Sequence, residues 1–381
     1  MVILNFVVIL SGRFYLYKGV WNTYLQGKTG PGIYDLDVFH NRTVAKAEAP
    51  FHFVKSTHQS DLTPEEMNYF QKLETHSFLV IRNDSILFEK YFDKRSDTAH
   101  SNSFSAAKTV IGLLIGCAID EGKIKSVDEL VIRYIPEFNE AGKEAVTIRD
   151  LLTMSSGLSW EESGKNPFSD NAASYYGSDL FGLTIHQKLL TTPGEVFNYQ
   201  SGNSQLLGFI IQRATGKSIS EYASEKIWAK IGTENDAYWS LDKKDGNEKA
   251  FCCLYATTHD FAKLGRLILN EGEWNGETII SNKYMSEFLT PAPLSTMEGI
   301  PNTRYGYQVW LYPRANNPVY YCRGILGQYM ISIPAKNMII VRTGMKRDEN
   351  ITLETAKNDL LKVGHPKDFF TYLKIAERLV K

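Results

Sequence analysis

Ser105 and Lys108 stand three residues apart in Ser105-Ala106-Ala107-Lys108, at the head of an apolar run that continues to Ile119. On a helix, positions i and i+3 share a face, so the hydroxyl and the amine can touch. That pairing is the S-x-x-K arrangement, in which the amine takes a proton from an attacking serine. A helix beginning near Ser105 also sets the nucleophile in its first turn. There the unpaired backbone N–H groups and the positive dipole end stabilise a developing oxyanion. A lysine inside so apolar a run loses hydration, which lowers its pKa and suits it to accept a proton.

The residues after Lys108 are apolar almost all round, which predicts a helix buried on every side. The run is about half of the ~20 residues needed to cross a bilayer, so it reads as a core helix. Spacing alone is not decisive. Ser240-Leu241-Asp242-Lys243 fits the same pattern, but in a polar stretch leading to a turn at Asp245-Gly246.

Length and composition narrow the setting. A chain of 381 residues exceeds one simple core and predicts two domains or one composite domain. Its 43% hydrophobic and 22% charged residues are ordinary for a globular protein, and a net charge of −1 with no long basic cluster gives no sign of a nucleic-acid partner. The eight His are scattered, with no H-E-x-x-H or C-x-x-C, so no metal or other cofactor is expected. There is no G-x-S-x-G elbow either. Four cysteines make no disulfide scaffold, and Cys252 and Cys253 are adjacent, so free thiols are expected.

Val2 to Leu10 is an apolar run broken only by Asn5. It is either the stub of an export signal or anchor, implying a periplasmic or membrane-anchored protein, or a folded element of a cytoplasmic one. Residues 18 to 60 lack periodicity and read as an extended lead-in. Thr63-Pro64-Glu65-Glu66 starts a helix to about Leu73. Phe78 to Arg82 and Ile86 to Phe92 form a hairpin across Asn83-Asp84-Ser85. Helices are predicted from Thr147 to Met154, Asn203 to Thr215, 219 to 231 and 257 to 270, with a long surface excursion over 159 to 192. Strands at Tyr307–Tyr312, Gln328–Ile333 and Met338–Thr343 precede a final helix over Pro366–Leu379.

The expected fold is α+β: one antiparallel sheet built from both ends of the chain, flanked by N- and C-terminal helices, with a helical domain inserted and a cleft between. In residue terms, 1–60 is a lead-in and 61–381 the functional unit. Its sheet part is about 61–105 and 290–381, and its helical part about 106–289.

Three ordered motifs carry a resemblance: Ser105-Ala106-Ala107-Lys108, Thr147 through Leu158, and Pro193-Gly194 running to Tyr199-Gln200-Ser201. Together, over roughly residues 65 to 375, the chain resembles the β-lactamase-related serine hydrolases. That family includes class C β-lactamases, D-alanyl-D-alanine carboxypeptidases, esterases and 6-aminohexanoate-dimer hydrolase. The resemblance implies that Ser105 is acylated, Lys108 accepts its proton and Tyr199 moves protons to and from the leaving group, with a pKa lowered by the neighbouring lysine.

Ser201 stands where the second motif usually carries Asn. In the third motif, many members carry Lys or His followed by a small residue and Gly, whereas this chain reads Arg323-Gly324-Ile325-Leu326-Gly327-Gln328. A backbone N–H near Gln328 is the expected second oxyanion donor, with Ile325, Gly327 and Ser201 beside the substrate. Ile325 offers a carboxylate no charge, and Arg323 is the nearest replacement cation. This look is closest to the 6-aminohexanoate-dimer hydrolase branch and implies a small ester, amide or peptide-like substrate. Two readings compete with it, a penicillin-binding carboxypeptidase or weak β-lactamase and a catalytically silent binding protein. Membrane contact is expected only if the N-terminal run is an anchor.

Overall fold

The computed structural model describes residues 2–57, 60–140, 142–314, 317–357 and 359–381, with the side chains of residues 2–4 and 7 excepted. Its organising layer is a seven-stranded sheet. The strands are β1 (Val54–Lys55), β2 (Thr75–Arg82), β3 (Ser85–Tyr91), β4 (Trp310–Tyr312), β5 (Val319–Gly324), β6 (Gln328–Ile333) and β7 (Met338–Gly344), in the order β4-β5-β6-β7-β2-β3-β1. All pairs are antiparallel except β1 with β3. The two ends of the chain meet at β7 and β2, with Val341 opposite Leu79.

Side chains alternate across a strand, and this sheet is covered on both faces. Phe78, Val80, Met338 and Ile340 point to one core and Leu79, Ile81, Ile339 and Val341 to the other. The first core is closed by α3 (Pro64–Lys72) and α7 (Lys367–Leu379), where Phe70 stacks on Tyr372 with ring centroids 5.8 Å apart. Thr63 and Glu66 form a capping box that starts α3, with Pro64 at the first position. The second core holds α4 (Ala107–Asp120) and α6 (Thr258–Leu269). Ser332 Oγ donates to Gly265 O at 2.7 Å, fixing α6 on β6. This helix packs on the sheet, although it lies within the segment expected to form the helical part.

Helix α4 is buried from Ala107 to Ala118, the all-round burial its sequence predicts, and packs on α5 (Ser201–Thr215). The strand before the third motif starts at Val319, and only Trp310–Tyr312 of the expected 307–312 strand pairs.

Residues 18–60 are not an extended lead-in. Helices α1 (Val2–Ser11) and α2 (Tyr15–Asn22) open the chain, and Asn41–Val44 pairs with Ala237–Ser240 in a four-stranded sheet. The strand is short and its partner lies almost 200 residues away, so no local periodicity announces it. No helix among the described residues is long and apolar enough to cross a membrane.

Cys252 and Cys253 are joined by a disulfide, against the expectation of free thiols; Cys117 and Cys322 are free and buried. Cys253 adopts a left-handed backbone, φ +67°.

Candidate active site

The approach to Ser105 is an unusual piece of backbone. Phe104 has φ +45°, a region that side chains rarely occupy, and its N–H donates to Asn102 Oδ1 at 2.8 Å. A 3₁₀ turn over Phe104–Ala106 then leads into α4. This presents Ser105, partly exposed, at the mouth of a buried helix. Gly324 at the end of β5 lies against the same turn: a Cβ there would stand 2.2 Å from Ser103 O. Any larger residue would push the strand and the Ser105 turn apart.

One turn on, Lys108 is 1% exposed. Its Nζ lies 3.1 Å from Ser105 Oγ, 3.0 Å from Ser201 Oγ and 2.8 Å from Phe251 O. Burial pushes its pKa down to about 8, while the Glu162 carboxylate opposes that shift. At neutral pH about a tenth of the molecules therefore carry a free amine beside Ser105.

Tyr199 precedes α5 and is wedged between Trp310 and Tyr305, at ring-centroid distances of 5.5 and 5.9 Å. Lys108 Nζ faces its ring, 5.2 Å from the centroid. The tyrosine pKa is raised, not lowered as expected: burial dominates and Glu162 adds to it, outweighing a hydrogen bond with Ser105 and the charges of Arg323 and Arg347. Tyr199 is therefore a neutral phenol, able to give a proton.

Glu162 is the residue that motif reading missed. It lies in the stretch 159–192, which is not the surface excursion expected, since it folds into two helices, Asp170–Tyr176 and Leu180–Ile185, that bury Tyr175, Leu180 and Ile185 in the core. The Glu162 carboxylate accepts from Ser201 N–H and from Ser201 Oγ, both at 2.7 Å. An acidic side chain at the N-terminus of α5 satisfies an orphan donor and meets the positive dipole end. Ser201 Oγ relays this carboxylate to Lys108. The nearest sequence signal was a lone Glu161-Glu162 pair in a polar loop, with nothing to aim it at residue 201.

The third motif is placed differently from expectation. Gln328 is fully buried; its side-chain amide donates to Ile325 O at 3.0 Å and Gly344 O at 2.7 Å, so it braces the turn. Ile325 itself lines the cavity over Ser105 and is 45% exposed, whereas Gly327 lies behind it with φ +86° beneath Arg342. Arg323 turns away: it donates to Gly364 O at 2.9 Å and stacks 3.4 Å from the Trp310 ring centroid. The rival pair is not built for chemistry, since Ser240 ends a strand and its hydroxyl donates to Asn41 Oδ1.

A cavity of about 410 Å³ opens over Ser105 and Ser201. Glu162, Phe104, Phe251, Cys252 and Ile325 form its inner walls, and Leu16, Gly19, Val20 and Tyr24 of the N-terminal segment form its outer wall.

Residues 67–357 match the family model described as beta-lactamase, well over half of the chain. The chain belongs to the beta-lactamase family. It is a serine hydrolase of that α+β fold, and acyl-serine chemistry is typical of the family. The 6-aminohexanoate-dimer hydrolase of Paenarthrobacter ureafaciens is 27% identical over 291 residues, 71% of this chain and 74% of that protein. Among solved structures, a Bacillus anthracis protein provisionally named a 6-aminohexanoate-dimer hydrolase superposes with a TM-score of 0.74 at 24% identity, covering 90% of this chain and 92% of the other. A family VIII carboxylesterase gives a TM-score of 0.63 at 20% identity, covering 84% and 99%. These structural likenesses speak for the shared fold of the family.

Proposed function

We propose that this hydrolase cleaves a neutral ester or amide, with Ser105, Lys108 and Tyr199 as its catalytic residues. Neutral Lys108 takes the Ser105 proton as Oγ attacks the substrate carbonyl. Tyr199 hands a proton to the departing alcohol or amine, leaving an acyl-Ser105 ester. Water then attacks that ester, losing its proton to the same pair, and free acid and Ser105 are regenerated. The backbone N–H groups of Ser105 and Ile325 hold the oxyanion, a role moved from Gln328 because Ile325 lines the cavity and Gln328 does not.

The observation that carries this reading is the 3.1 Å contact between a buried, pKa-lowered Lys108 and a partly exposed Ser105. The preference for neutral acyl groups is supported by Ile325 on the cavity lining, by Arg323 stacked away on Trp310, and by the Glu162 carboxylate facing the cavity. Lys165, a cation on the lining, is exposed at the rim. A carboxylate held against Ile325 would lose hydration with no Lys or His side chain at that position to pair with it, at several kcal/mol.

Intact mass after separate exposure to a fluorophosphonate and to labelled penicillin tests this. An adduct with the first alone, mapped to Ser105, is expected. Adducts with both would turn the assignment toward a penicillin-binding protein, and adducts with neither toward a silent scaffold.

A further inference from the structure

Helix α2 is apolar on two opposite sides. Its inner side, with Leu16 buried and Gly19 packed on the Tyr176 ring, lines the cavity over Ser105. Its outer side carries Phe14 and Trp21, seven residues apart and therefore on one face, 65% and 63% exposed. Phe6, Ile9 and Leu10 on one face of α1 are 66–71% exposed, and Tyr24 and Leu25 follow α2 at 67% and 55%. Tyr17 Oη donates to Asn5 Oδ1 at 2.8 Å, tying the two helices together. Seven large apolar side chains in one exposed N-terminal segment exceed the scattered surface apolars of a free protein.

Charge selects the occupant. Residues 1–34 contain Arg13, Lys18 and Lys28, three of the 42 Lys and Arg, and none of the 43 Asp and Glu. The segment is thus +3 in a chain whose net charge is −1; Lys28 pairs with Asp35 at 3.0 Å, Lys18 Nζ lies 4.3 Å over the Phe39 ring, and Arg13, beside Phe14, donates to Phe168 O at 3.1 Å. Apolar bulk, Trp and Tyr with polar tips, and a cationic, acid-free sequence are the composition of a segment lying in a lipid interface. Position agrees: Tyr24 belongs both to the exposed face and to the cavity lining. A protein docked here would cover that side of the mouth. A lipid surface would instead supply amphiphilic molecules to it.

We propose that α1, α2 and the turn after them dock on an anionic lipid surface, so that amphiphilic acyl substrates enter the Ser105 cavity past Leu16, Val20 and Tyr24. The delivery half of this proposal rests on the hydrolase reading above; the docking half does not.

Flotation of the full chain with vesicles of about 30 mol% phosphatidylglycerol in phosphatidylcholine tests it. Association is expected, weakening several-fold in pure phosphatidylcholine or in about 1 M salt. Phe14→Ser/Trp21→Ser should lose at least tenfold in partitioning, yet hydrolyse a soluble short ester within about twofold of wild type, since neither residue lines the cavity. Phe6→Ser/Leu10→Ser, on the other helix, should behave likewise. Ser105→Ala should float like wild type, which separates docking from catalysis. Failure of the wild type to float, or unchanged flotation of both double variants, would overturn the proposal. So would a wild-type dimer that these variants dissociate, with no vesicle association, which would assign the face to a second copy.

Discussion

Replacing Glu162 by Gln tests how the site tunes its base. Gln keeps an acceptor for Ser201 and removes the charge. The 3.0 Å and 2.7 Å hydrogen bonds through Ser201 Oγ put Lys108 Nζ and the nearer carboxylate oxygen within about 6 Å of each other. At that separation the attraction is roughly 2.8 kcal/mol for an effective dielectric of 20 and roughly 0.7 for bulk water, equivalent to about 2 and about 0.5 pK units. Glu162 is partly exposed, so about one unit is expected. Glu162 raises the Lys108 pKa, and its loss therefore lowers it from about 8 toward 7. In the proposed mechanism the basic form carries the activity, so kcat/KM for a short neutral ester should rise with pH through this value, and that limb should move down by about one unit in Glu162→Gln. Near pH 6.5 the variant would then hold about eight times more neutral lysine than wild type. The assay is kcat/KM against pH for both proteins, with product read at an isosbestic wavelength. An unmoved or upward-moving limb would refute the electrostatic reasoning. A loss beyond about a hundredfold at every pH would instead make Glu162 a proton carrier in its own right.

Ser105→Ala should retain its fold by circular dichroism and lose at least about a thousandfold in ester hydrolysis; a residual rate above a tenth would put the nucleophile elsewhere. Gly324→Ala, whose new Cβ would meet Ser103 O at 2.2 Å, should cost about 1–3 kcal/mol of stability and at least about tenfold in kcat/KM, read by denaturant melts and kinetics together. A short neutral ester should exceed benzylpenicillin in kcat/KM by about a hundredfold, or roughly 2.7 kcal/mol. Ile325→Lys should narrow that gap, and efficient penicillin turnover by the wild type would contradict it.

The legible features are those whose geometry is local. Ser105 and Lys108 share a helix face because three residues is nearly one turn, and the apolar run after them has no way to fold except buried. The capping box at Thr63 and the strands Gln328–Ile333 and Met338–Gly344 are likewise written in adjacent residues. Membership of the family was visible in three motifs, because each is a short segment whose internal spacing carries its meaning.

What only the tertiary structure decided are contacts between segments far apart in the chain. Glu162 reaches Ser201 across 39 residues, and Leu16 and Val20 close a cavity around a serine almost 90 positions later. Which residue of Ile325-Leu326-Gly327-Gln328 faces that cavity depends on Leu326 at φ +63°, a turn that sends the Gln328 side chain back toward Gly344. The sequence places Tyr199 beside a lysine that should lower its pKa, but Trp310 and Tyr305 enclose it and burial outweighs neighbouring charge. A sequence states which groups are present and, within a turn or two, how they are spaced. Desolvation and long-range charge are properties of the packed interior, and they exist only once the segments have met.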